Sequence, residues 1–214
     1  MPMSPSWSPD GTRIAFFCRR NGLNYAYETQ IASGVTRPLR GGEDYALFPQ
    51  YSSDGKSLYY VSNVGHRFRI WRELLDAGAG AEPAVADEVR LFRLSKDRRY
   101  IYFFQDRHPE RLIRMNLATK EESTAWTFTD SLAAFDAWDV AGNSLFYVCQ
   151  EASRRVPQLV AVDLDSGERR ILGLLRKLSH EWQTSIAASP DGQSVVITQV
   201  DSDDTRLMLM QLGQ

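Results

Sequence analysis

Only two cysteines and three histidines occur among the 214 residues. Two thiols are too few for a disulfide framework. His66, His108 and His180 lie far apart, and no H-E-x-x-H pattern is present. A G-x-S-x-G nucleophile elbow and a G-x-x-x-x-G-K phosphate loop are also missing. No apolar run approaches the roughly 20 residues of a membrane-spanning helix. Neither charge sign dominates: 25 Lys and Arg against 27 Asp and Glu leave a formal net charge of -2. That balance gives no general attraction to nucleic acid or to anionic membrane. The start, MPMSPSWSPDG, has no basic region followed by an apolar stretch and does not read as a secretory signal. What is abundant is apolar and aromatic: 43% and 11% of residues, enough to bury a substantial core.

Those apolar residues recur with a fixed period. SWSPDGTRIAFF (6–17) returns as QYSSDGKSLYYV (50–61), and weaker copies follow in RLSKDRRYIYFF, AWDVAGNSLFYV and AASPDGQSVVIT. With the residue after the turn Asp as a ruler, the copies align at Gly11, Gly55, Arg98, Gly142 and Gly192, spaced 44, 43, 44 and 50 apart. A period near 40–45 residues is that of a four-stranded propeller blade. Three and five positions after the ruler stand Ile14 and Phe16, Leu58 and Tyr60, Ile101 and Phe103, Leu145 and Tyr147, Val195 and Ile197. The intervening position is also apolar: Ala15, Tyr59, Tyr102, Phe146, Val196. A strand apolar on both faces is covered on both faces. Blades packed between neighbours meet that requirement.

Turn chemistry agrees. An Asp that bonds the backbone ahead of it, followed by a Gly able to take positive φ, makes a tight hairpin. Copy four has Ala141 in place of Asp, and copy three has Arg98 in place of Gly, which predicts a different turn there. A second amphipathic strand follows each central one (NYAYETQI, FRIWRELL, RLIRMNL, QLVAVDL, RLMLMQL), then a weaker fourth: TRPLR, PAVAD, STAWTF, RRILGL. The reading is all-β: a β-propeller of four-stranded antiparallel blades, about five in number, over a single region 1–214. The blades are placed at about 2–40, 45–87, 88–128, 132–175 and 184–211. Only MPMSPS precedes the first turn and is needed as the first strand of blade one, so no segment remains to close the ring. The expectation is the C-terminal part of a propeller of six to eight blades, with a closed five-bladed ring as the alternative.

WSPDGTRIAFF and SPDGQSVVIT, in this phase, resemble the TolB-like, WD-repeat-like propeller repeat of bacteria over nearly all of the chain. The ending SPDGQSVVITQVDSDDTRLMLM is similar to the last repeats of propellers that form the C-terminal sensor part of bacterial winged-helix transcriptional regulators. Related propellers also gate prolyl oligopeptidase-type peptidases. The resemblance implies a non-catalytic platform that binds a protein or small ligand. It implies no cofactor, and slightly favours an extracytoplasmic location. Direct nucleic-acid binding by this segment is not expected, since it lacks a helical reading element. Trp138-Asp139 resembles the WD dipeptide, but the ruler aligns Trp138 with Trp7 and Tyr51, as packing residues.

Candidate site residues come from the loops joining second to third strands, which all leave one face of a propeller: RRNGL, NVGHRF, QDRHPE, EASRR and DSDDT. They gather Arg19, Arg20, His66, Arg67, Arg107, His108, Arg154 and Arg155 around blades one to four, with the acidic loop 201–205 on blade five. DSDDT lacks the Gly and the distant Glu of a calcium loop and reads as a solvated acidic segment. Cys18 and Cys149 both lie seven residues after the ruler, in non-adjacent blades, too far apart for a disulfide. Two free, mostly buried thiols are expected. The extra length of the last spacing falls in LGLLRKLSHEWQTS (172–185), where Trp182 is either a plug or a contact residue.

Overall fold

One hydroxyl and one carboxylate build the recurring turn. Ser8, Ser52, Ser95 and Ser189 stand three residues before the ruler, and each Oγ–H donates to the Asp two residues on at 2.5–2.6 Å. The Ser oxygens of Ser8, Ser52 and Ser189 accept the N–H of Arg13, Ser57 and Ser194 at 2.9–3.0 Å. Asp10, Asp54 and Asp191 accept the N–H of Thr12, Lys56 and Gln193 at 3.0 Å. Gly11, Gly55, Gly142 and Gly192 have φ between 56° and 70°, and Arg98 has φ 55°. Copy three therefore keeps the left-handed residue without its glycine, a correction to the different turn expected there.

The computed structural model describes residues 2–40, 46–75, 80–85, 88–89, 91–132, 136–150, 156–175, 186–201 and 204–211, with backbone alone for 2, 40, 199–201 and 204–211. The turns connect five antiparallel sheets, each in chain order. The first holds β1 (Pro2–Trp7), β2 (Arg13–Arg20), β3 (Leu23–Gln30) and β4 (Thr36–Arg40). The second holds β5 (Leu47–Tyr51), β6 (Ser57–Ser62), β7 (Arg69–Leu74) and a short β8 (Glu82–Pro83). The third holds β9 (Phe92–Leu94), β10 (Tyr100–Gln105), β11 (His108–Asn116) and β12 (Glu122–Thr127). The fourth holds β13 (Trp138–Ala141), β14 (Ser144–Cys149), β15 (Gln158–Asp163) and β16 (Arg169–Leu174). The fifth has three strands: β17 (Ile186–Ala188), β18 (Ser194–Asp201) and β19 (Asp204–Gln211). This is the all-β architecture of propeller blades. A 3₁₀ turn at Val64–His66 is the single helical element among the described residues. No helix there is long and apolar enough to cross a membrane.

Two compact units divide the chain, and the third sheet contributes residues to both. In the first unit, Tyr51, Leu58 and Tyr60 of the second sheet pack with Ala15 and Ala26 of the first. Small residues on one sheet receive large ones from the next. In the second unit, Phe146, Val148, Leu159 and Ala161 pack against Ile186, Ala188, Val195 and Ile197. Positions three and five after the ruler thus face the preceding sheet, and the position between them faces the following one. The pattern predicts coverage on both faces in every copy. In β2 it holds for Ala15 and Phe17, which are buried, while Ile14 and Phe16 are only half-buried and Trp7 is 53% exposed. Cys18 lies on that same open face and is half-buried rather than buried.

Candidate functional site

The β2–β3 hairpin turns through Asn21 and Gly22, both at positive φ (51° and 85°), the backbone of a tight two-residue turn. This leaves Arg19 and Arg20 exposed at the end of β2. His66 closes the 3₁₀ turn with φ 62° and is exposed, as is Arg67 after it. Arg107 and His108 are exposed where β10 turns into β11. Glu88 draws two of these loops together. Its Oε1 lies 3.9 Å from Arg67 Nε, and its carbonyl accepts the N–H of Asp106 at 3.1 Å. Among the described residues, Arg19, Arg20 and Arg107 have no carboxylate partner within 4 Å. The six described candidates belong to the first unit. Arg154, Arg155 and Trp182 lie outside the described residues, as do the side chains of the acidic loop 201–205.

At the other end of the first sheet stands a charged cluster that the repeat pattern did not single out. Glu28, 3% exposed, is the buried acid of β3. Its Oε1 receives Arg37 Nε at 3.0 Å and Nη2 at 2.9 Å. Its Oε2 receives Arg13 Nη1 at 3.2 Å and the Tyr51 hydroxyl at 2.5 Å. Four donors saturate the carboxylate, which is how a buried charge is tolerated. Burial, then the Glu28 hydrogen bond, pushes the Tyr51 hydroxyl far above its ordinary range. Arg13 also lies over the Tyr51 ring, 5.3 Å from its centroid. Glu28 faces inward because Ala15 opposite it leaves room.

Two further residues carry structure where the repeat departs from its own rule. Asp139 occupies the Ser position of the fourth turn. It accepts from Lys96 Nζ at 2.6 Å and from the Ala188 N–H at 2.9 Å, linking three consecutive repeats. Arg98, at a Gly position, donates from Nη1 to the Ser52 carbonyl at 3.0 Å and from Nη2 to the Trp7 carbonyl at 2.9 Å. Both departures stand out in the aligned copies, and that was the available signal. Cys149 is buried beside Asp130, which Arg169 holds at 2.6 Å. Burial, then Asp130, raises its thiol to about 11, so it is a poor nucleophile at neutral pH. Both cysteines are free. No cluster of three metal-ligating side chains occurs among the described residues.

No protein-family model matches the chain. It is 32% identical to the Tol-Pal system protein TolB of Anaeromyxobacter dehalogenans over 40% of this chain, and 29% identical to dipeptidyl-peptidase 5 of Porphyromonas gingivalis over 51% of it. The chain spans 19% of the length of each of these relatives. The crystal structure of TolB from Acinetobacter baumannii superposes on 99% of this chain with a TM-score of 0.80 and 20% identity, using 52% of its own length. At that identity the likeness concerns the fold. Five antiparallel sheets in phase, the shared turn and this superposition together give the chain the TolB-like β-propeller fold.

Proposed function

We propose that residues 1–214 act as one non-catalytic propeller region that binds a protein partner through the loops carrying Arg19, Arg20, His66, Arg67, Arg107, His108, Arg154 and Arg155. The observation that carries this reading is the group Arg19, Arg20 and Arg107, exposed at one end of their sheets with no carboxylate partner among the described residues. Guanidinium groups left open in this way favour acidic protein surfaces. The test replaces Arg19, Arg20, Arg67 and Arg107 with Ser and compares affinity capture from a bacterial lysate at low and high salt. Loss of the captured protein, and of its salt sensitivity, is expected. Identical capture by parent and variant at both salt concentrations rejects the reading.

The finer assignment, a sensor part of a winged-helix regulator, rests on the resemblance of the SPDGQSVVITQVDSDDTRLMLM ending. An in-frame winged-helix segment in the genomic DNA upstream of this reading frame supports it, and a stop codon just upstream of Met1 opposes it. A second reading, a propeller gating a hydrolase domain, is favoured by the likeness to dipeptidyl-peptidase 5. It predicts a Ser-His-Asp set encoded beyond Gln214, which the same sequencing reads. Turnover of fluorogenic dipeptide amides by this chain alone contradicts both readings.

A further inference from the structure

The face of the first sheet bearing Glu28 is open toward its Ser-x-Asp-Gly end, away from the arginine loops. Two rows of side chains cross it. Arg13 pairs with Gln30, and Val35 follows on β4's approach; Glu28 pairs with Arg37. With Ser33 they line a groove of about 520 Å³, within the size range of small-molecule sites.

Glu28 carries one negative charge and holds two guanidiniums, so Arg13 and Arg37 leave one positive charge over. Asp10 offsets it from the rim, 3.9 Å from Arg13 and itself 56% exposed. The Glu28 oxygens are already filled by four donors. Arg37 remains 63% exposed, and its Nη1 has no partner among the described residues. The Ser33 Oγ accepts the Val35 N–H at 3.3 Å, which leaves its own proton to donate. The Gln30 amide likewise has no side-chain partner among the described residues. Donors, the exposed Arg37 guanidinium among them, therefore converge on a concave surface whose own carboxylate is spent.

We propose that this groove binds a small organic acid through a single carboxylate. The carboxylate engages Arg37, and hydroxyl groups beside it meet Gln30 and Ser33. A planar guanidinium matches a carboxylate in two parallel hydrogen bonds. A monoanion meets Arg37 with less repulsion from Glu28 and Asp10 than a phosphate dianion does.

Calorimetric titration of the intact chain with gluconate, sorbitol and inorganic phosphate tests this. Gluconate and sorbitol differ chiefly in the carboxylate. Saturable binding of gluconate alone is expected. Arg37→Gln should weaken it by about tenfold, the value of one charge-assisted contact. Gln30→Ala leaves the ion pairs intact and should weaken it by about threefold. Circular dichroism checks that both variants keep the parent's fold. Ser replacements at Arg19, Arg20, Arg67 and Arg107 should leave this binding unchanged, which separates the site from the partner-binding loops. Gluconate binding no tighter than sorbitol, phosphate binding tighter than gluconate, or gluconate affinity indifferent to both groove variants overturns the proposal.

Discussion

Arg98→Gly restores the residue that the repeat uses at its other turns, yet the protein should become less stable. Glycine removes the cost of a left-handed side-chain-bearing residue, on the order of 1 kcal/mol. It also removes two hydrogen bonds from a charged donor, each contributing about 1.5–3 kcal/mol before discounting for the half-exposed guanidinium. A net loss of about 1–2 kcal/mol is expected. Arg98→Ala keeps the unfavourable φ and loses the same bonds, so it should melt lower than the glycine variant. Calorimetry on both variants checks the order, and a glycine variant as stable as the parent contradicts it. The turn aspartates set a pH dependence. Hydrogen bonds from the turn serines, then from the backbone two residues ahead, hold Asp10, Asp54 and Asp191 below the ordinary 3.8, Asp10 at about 2. A folded value below the unfolded one stabilises the protein above about pH 4, and that stability is lost as the pH falls through the folded value. Melting temperature should therefore drop from pH 4 toward 2, and Asp54→Asn should flatten part of that drop. An unchanged acid limb in the variant rules the argument out.

At the scale of the strand, one position in two copies meets two environments. Tyr60 is buried against the first sheet, while Phe16, at the same offset, is half-buried on an open face. Tyr60→Ala should cost about 3–5 kcal/mol, and Phe16→Ala clearly less. Urea denaturation of the pair measures the difference, and equal losses would falsify the assignment of an open face. Central strands and hairpins were legible in the sequence because the period of the repeat reinforces a local signal five times over. What distinguishes one copy from another was not. Glu28 was hidden because the same offset holds Arg72 in the second copy, so aligning copies averages the acid away. The half-burial of Ile14 and Phe16 was hidden because both obey the buried pattern of the repeat. Of the candidate site, the exposure of Arg19, Arg20, Arg67 and Arg107 followed from loop position. The ties through Glu88 depend on the segment joining two sheets, where no period guides the eye.

For the whole molecule, the long spans of the repeat departures matter most. Asp139 reaches Lys96 and Ala188, 43 and 49 residues away along the chain. Arg98 reaches back 46 residues to Ser52 and 91 to Trp7. Seen during synthesis, this last clasp is a matter of timing. At 5–20 residues per second, Trp7 leaves the ribosome roughly 5–20 s before Arg98 can reach its carbonyl. The first two sheets spend that interval with their turns joined only to each other. Translation-arrest force measurements should register a step as Arg98 emerges, and Arg98→Gly should erase it; a step of equal size in the variant speaks against the clasp. A single arginine in a glycine's place thus makes the first half of the chain wait for its third repeat, and the nascent protein is open to chaperones and proteases for as long as that wait lasts.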